Sequence, residues 1–210
     1  RDVSQKTHEC FTLDQLVEIF NLNHLTKGNV KVDNKKLEFF NKHFLQKKIH
    51  SEEINSLIKI LIPECKTKFD PKIISEKLIR EILIKCGSSL NNIAEFTSTF
   101  EYFFQRPIYL EEYGSFINAD NRKNIIKLVA YVREQLNSKE DIHQILENVI
   151  TDRHEWQDLN KQTVYKSIRY ALTGLGLGVK LPVIVDILGL KSTQQRLQDF
   201  EYYLQNKLKL

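Results

Sequence analysis

Residues 120–150 read DNRKNIIKLVAYVREQLNSKEDIHQILENVI, and their apolar positions decide the fold class. Ile125, Leu128, Val129 and Val132 return at intervals of three and four; Ile142, Ile145, Leu146 and Val149 repeat the pattern after a polar break. Such spacing lines one face of an α-helix, whose turn takes 3.6 residues, whereas a strand needs alternation of period two. Asp120 and Ser138 stand where side-chain acceptors open helices.

The same grammar extends in both directions. Ile54, Leu57, Ile58 and Leu61 form another stripe, as do Ile73, Ile74, Leu78 and Ile82. Thr12-x-x-Gln15 is a capping box, with Phe11 and Leu16 placed as a hydrophobic staple. Asp70-Pro71 predicts an N-cap followed by proline at the first helical position, where its missing N–H costs nothing. Ser51, Asn160 and Ser192-x-x-Gln195 each open a further helix. Alternation of period two is almost absent, so the chain is predicted to be all-α, a bundle or a stacked array of short helices. Breaks are expected around Gln105-Arg106-Pro107-Ile108 and near Gln46 to His50. Phe100, Tyr102, Phe103 and Phe104 read as core at helical spacing, with a base-stacking platform as the alternative.

Composition excludes several classes. With 210 residues and 41% of them hydrophobic, the chain can bury a real core, so disorder does not describe it as a whole. The apolar run ending Leu57-Ile58-Lys59-Ile60-Leu61-Ile62 is interrupted by lysine and falls far short of the roughly 18 residues of a span, which predicts a soluble protein and no membrane partner. Cys10, Cys65 and Cys86 are odd in number and far apart, suggesting reduced thiols rather than a disulfide framework or a zinc site. No phosphate-cradling glycine loop and no HExxH is present; His43 and His50 lack a third ligand, and His8 with Cys10 is a weak pair. No catalytic, cofactor or metal residue is therefore expected within the chain. It opens on Arg1-Asp2, which reads as a piece of a longer chain.

Charge is uneven. Residues 1–90 carry a net +4, residues 91–150 a net −3 and residues 151–210 a net +3. The densest basic stretch holds Lys27, Lys31, Lys35, Lys36, Lys42, Lys47 and Lys48 against Asp33 and Glu38. Such a surface steers a polyanion such as RNA; a merely solvated helix face is the other reading.

Residues 169–197 read RYALTGLGLGVKLPVIVDILGLKSTQQRL. A helix ends at Gly174, Gly176 and Gly178 permit a tight loop, Pro182 opens a short apolar helix and Gly189 ends it. This string resembles the C-terminal signature of bacterial-type glutamyl-tRNA synthetases. Phe11-Thr12-Leu13-Asp14-Gln15-Leu16 through Phe20, Lys27-Gly28, Val32-Asp33-Asn34-Lys35-Lys36-Leu37 and Asn41-Lys42-His43-Phe44 are similar to the stretch after that family's catalytic core. Order and spacing agree across nearly the whole chain.

The resemblance implies a layout: the end of a stem-contact domain at 1–48, then two small helical anticodon-binding domains at 49–105 and 106–210. It implies tRNA contacts at Arg169, Gly178, Val179, Lys180, Leu181 and Lys36. Arg169 offers a planar fork, Lys36 a point charge, and the loop its peptide groups. Other roles stay open: Arg169 can pair an acidic neighbour, Lys36 can be solvated, and the glycines can be turn formers. Two positions depart from the family. Val179 stands where a proline is usual, and Cys86 stands four residues before Leu90, where some members place an arginine; Lys85 or Arg80 can substitute. The implied activity of the whole enzyme is attachment of glutamate to tRNA(Glu) with ATP and magnesium, by a monomer whose catalytic motifs precede Arg1. A helical adaptor derived from the same fold is the alternative. The 23 Lys to 8 Arg and the 15 Asn suggest an A/T-rich genome, and so a bacterial cytoplasm, a plastid or a mitochondrion.

Overall fold

Thr12 opens the first helix among the described residues, α1 (Leu13–Ile19), by the predicted reciprocal box: its hydroxyl accepts from Gln15 N and the Gln15 side chain accepts from Thr12 N. The computed structural model describes residues 10–24, 28, 33–136, 141–152, 156 and 158–206. Eight more helices follow: α2 (Asn34–Ile49), α3 (Ile54–Lys68), α4 (Glu76–Cys86), α5 (Phe96–Thr99), α6 (Ala119–Gln135), α7 (Ile142–Thr151), α8 (Lys161–Thr173) and α9 (Leu181–Asn206). No strand occurs among the described residues, and the protein is all-α as predicted. None of these helices is long and apolar enough to cross a membrane.

The stripes bury as their spacing requires. Ile125, Leu128, Val129 and Val132 of α6 are fully inaccessible, and Ile142, Ile145, Leu146 and Val149 of α7 nearly so. In α3, Ile54, Leu57, Ile58 and Leu61 face inward onto Ile79, Ile82 and Leu83 of α4. Each such side chain contributes about 1.5–3 kcal/mol by leaving water. Ile73 differs from its stripe and lies in solvent while Ile74 and Ile82 are buried. The aromatic run belongs to the core: Phe100, Tyr102, Phe103 and Phe104 are all buried, and Phe69 stacks on Phe104 at 4.9 Å. The base-stacking alternative for that run is thereby corrected, because its ring faces are covered.

Several helix starts shift. Asp70-Pro71 makes a turn, in which Asp70 accepts from Lys72 N, and α4 begins later because Ser75 accepts from Leu78 N. Asn118 rather than Asp120 caps α6, forming a reciprocal box with Asn121. Ser51 accepts from Glu53 N in a turn just ahead of α3. Asn160 caps α8 as expected. Gly189 breaks α9 with φ 73° and ψ 161°, so Ser192 falls inside the segment that follows rather than at its cap. Lys27, Lys31, Ser138 and His8 lie outside the described residues.

α2 docks through Leu45 and Ile49, and Gln46 Nε2 donates to Gly87 O at the end of α4. Between α5 and α6 runs a strap, residues 105–118, held to the C-terminal helices by three phenols. Tyr109 donates to Ala171 O, Tyr170 to Leu110 O at 2.7 Å, and Tyr203 to Tyr109 O. Arg196 of α9 closes the seam: Nη1 donates to Leu172 O at 2.6 Å and Nη2 to Gln105 O at 3.1 Å. α9 also meets α4, and α8 meets the turn at Glu101–Phe103, so the two halves share one continuous core.

Candidate nucleic-acid interface

α8 stops because Gly174 takes the left-handed conformation, φ 76° and ψ 3°, while its N–H still reaches Tyr170 O. A Cβ there would also sit 2.5 Å from the Ile108 carbonyl oxygen, so the loop leaves the helix hard against the strap. Thr173 reinforces the exit: its hydroxyl donates to Arg169 O and accepts from Leu175 N. Gly178, at φ 134°, has open space around it. The loop ends where Lys180 O accepts from Val183 N and Ile184 N to start α9, with Leu181 buried beneath.

Arg169 projects from the last turn but one of α8 and is half-buried. Its Nε–H donates to Val179 O at 3.3 Å, which ties the helix to the far limb of the loop. That is the side chain's one hydrogen bond among the described residues, and no described carboxylate pairs with it. Neither Nη group is a buried orphan, so both reach solvent. Burial lowers the guanidinium's pKa from its usual value while nearby Tyr102 acts in the opposite direction; the group stays charged at neutral pH. The result is a charged, planar two-nitrogen fork whose stem is fixed and whose tips are open.

The structure brings Arg169, Gly178, Val179, Lys180 and Leu181 together at one end of the C-terminal helices. Val179 packs its side chain on the core and presents its carbonyl to Arg169, so the loop is braced here without the proline that the resemblance implies. Lys180 is exposed beside it. Lys36 stands apart, exposed near the start of α2, about 15 Å along the helix from the Gln46 anchor at 1.5 Å per residue.

Lys85 already has two carboxylate partners in the protein. Its ammonium bonds Glu81 at 2.6 Å and, across the seam, Asp186 on α9. Both carboxylates hold its pKa above the ordinary lysine value, Asp186 foremost. Arg80, the other substitute, gives Nη2 to Asn55 Oδ1. Cys86 itself points into the core, where burial pushes its thiol pKa up to about 12. The position at which the resemblance implies a reading arginine is a core position in this fold.

Sequence reasoning placed Tyr102 in the core but not near Arg169, and it missed the strap. Burial raises the pKa of Tyr102, with Cys86 adding to the rise and the Arg169 charge opposing it. The strap's signal was the alternation in Ile108-Tyr109-Leu110, with Ile108 and Leu110 out and Tyr109 in. Among the described residues no cluster of His, Cys, Asp and Glu can hold a metal ion.

Residues 42–200 match the family model described as "Anticodon binding domain". The mitochondrial glutamate–tRNA ligase of Saccharomyces cerevisiae is 35% identical over all of this chain, which spans 39% of that protein. The glutamate–tRNA ligase of Flavobacterium johnsoniae is 29% identical over 90% of the chain, spanning 36% of its length. A glutamate tRNA ligase crystal structure from Elizabethkingia meningosepticum superposes with a TM-score of 0.66 over 92% of this chain, at 17% identity, and so shares the fold; the chain covers 37% of it. With most of its length inside the matched model, the chain belongs to the anticodon binding domain family, in the form carried by glutamate–tRNA ligases.

Proposed function

We propose that this chain reads tRNA(Glu) for a ligase that, as a whole, attaches glutamate to that tRNA with ATP. The single observation that carries the reading is the Arg169 fork, anchored through Nε to Val179 O with both Nη groups open beside the Gly174–Leu181 loop. A bidentate donor of this kind matches a base edge or a phosphate, and unpaired anticodon bases expose both. Gly178 and Lys180 flank the fork, supplying backbone groups and a further charge. Lys36 supplies a point charge for the phosphate backbone at a second location, on the end of the stem-contact segment (1–48). Residues 49–105 and 106–210 form the two anticodon-binding domains in this layout.

The chain spans about two fifths of the relatives it matches; in this reading ATP and magnesium are assigned to the part it does not span. The 35% likeness to a mitochondrial ligase supports work in a mitochondrion.

Two substitutions test the roles. Arg169→Ala is expected to weaken the cognate transcript by about 5- to 150-fold and a transcript with a changed anticodon far less, as loss of one bidentate contact predicts. Lys36→Ala is expected to weaken both alike and to flatten the dependence on log salt by close to one unit. Equal losses for both transcripts with Arg169→Ala rule out base reading by that arginine.

A further inference from the structure

Beside the loop lies a cavity of about 290 Å³ that none of the roles above uses. Its floor is Tyr102 and Thr173, its outer wall Ile108 and Tyr113, and its rim includes Glu101 and Ser98. We infer that this cavity is the seat of one unstacked nucleobase of the bound anticodon loop, with Tyr113 as its stacking face and Glu101 as an acceptor for an exocyclic amino group. The inference rests on the tRNA reading proposed above.

Four observations carry it. The first is position. Thr173, Gly174 and Leu175 line the cavity on one side, and Thr173 is one turn beyond Arg169 and bonded to its carbonyl. Tyr102 lines the cavity and also feels the Arg169 charge. A base entering here would belong to the same strand that meets the fork.

The second is exposure on a fixed backbone. Ile108 is 67% exposed, Leu110 47% and Tyr113 45%, three large apolar side chains in six residues. Exposed apolar clusters with a polar rim mark binding sites. These are not loose: the strap beneath them is held by the phenols of Tyr109, Tyr170 and Tyr203, and the Tyr113 carbonyl passes 3.6 Å from where a Cβ on Gly176 would lie. Ordering them on binding therefore costs little backbone entropy.

The third is size. At about 290 Å³ the space lies at the lower end of ligand pockets, enough for a single ring system rather than a whole nucleotide. The fourth is chemistry. An aromatic face gives sequence-tolerant stacking, and a carboxylate beside it accepts from the amino group of cytosine, adenine or guanine but finds no such donor on uracil. Glu101 is tethered by the Gln105 amide, which holds the acceptor at the rim.

The test is a coupling experiment in the intact protein. Transcripts of tRNA(Glu) made abasic at each anticodon position in turn are titrated against the wild type, Tyr113→Ala and Ile108→Ser, with the unfolding midpoint of each variant as a check on folding. Tyr113 and Ile108 face solvent, so both variants are expected to unfold like the wild type. Removing the seated base should cost roughly 5- to 150-fold in the wild type, as for one stacked base. Tyr113→Ala should cost a similar factor on the intact transcript, yet add almost nothing once that one base is gone. Glu101→Leu should then erase the preference for an amino-bearing base over uracil at the same position. If Tyr113→Ala and Ile108→Ser bind every transcript like the wild type, or weaken all of them equally, the seat is wrong while tRNA reading stands. If no transcript binds the wild type in a salt-dependent way, both fail together.

Discussion

Two arginines of the C-terminal half occupy matching situations with opposite outcomes. Arg196 at the seam and Arg169 at the loop are both withdrawn from solvent, both have pKa values lowered first by burial, and both donate to backbone carbonyls. Arg196 is 7% exposed and gives one nitrogen to Leu172 O and another to Gln105 O, so its fork bridges the end of α8 to the start of the strap. Arg169 gives Nε alone and keeps Nη1 and Nη2 open. The two differ in how many donors the fold consumes, a count that neither burial nor charge reveals alone.

The comparison breaks most severely at Arg196. Arg196→Met keeps much of the volume but strands two carbonyls inside, and hydrogen bonds from a charged donor are worth about 1.5–3 kcal/mol each. Unfolding by urea should show a loss of about 3–5 kcal/mol, whereas the folded fraction should bind tRNA with unchanged selectivity. A loss below about 1 kcal/mol would mean that the seam is held by packing alone.

Gly174→Ala comes next. It combines a left-handed φ of 76° with a Cβ 2.5 Å from Ile108 O, so the strain of roughly 1–2 kcal/mol is joined by a displaced strap. About 2–4 kcal/mol of stability should go. Gly178→Ala has the unusual φ without the clash and should lose only about 1–2 kcal/mol, measured in the same way.

Arg169→Lys sharpens the contrast at the loop. The charge survives, but the planar fork and the Nε anchor do not. Stability should fall by less than about 1 kcal/mol, and discrimination between cognate and changed anticodons by about 1–2 kcal/mol, read from paired titrations. Retained discrimination would assign selectivity to the loop backbone instead.

Much of this was legible in the sequence, and the rest was hidden for identifiable reasons. The stripes of α3, α6 and α7 were plain because one buried face forces a 3.6-residue period. Gly174 and Gly189 were legible as helix ends because only glycine takes those angles readily. Asp70 misled because Ser75 offers a second cap five residues on, and local sequence does not say which acceptor the helix will use. Asn118 preceded Asp120 for the same reason. The strap escaped because its phenols bond to residues some 60 to 94 positions away, a relation with no local signature. Arg169 was found through a resemblance; what the sequence alone withheld was the state of its three nitrogens.

Lys85 supplies the smallest effect and a check on the donor-counting rule. Its ammonium lies between Glu81 and Asp186, so by that rule it joins α4 to α9 instead of meeting phosphate. With the side chain one-third exposed, Lys85→Met should cost no more than about 1 kcal/mol. The sign with pH follows from a pKa raised above 10.5, chiefly by Asp186: the contribution is fully present below pH 10.5 and is lost as pH rises beyond it, where wild type and variant should converge. The salt dependence of tRNA binding decides the role. Already neutralised by two carboxylates, Lys85 releases no counterion from RNA, and the variant should keep the wild-type slope. A slope shallower by about 0.9 would show the ammonium leaving Asp186 for a phosphate, so that donors engaged in the free protein can still be transferred to RNA.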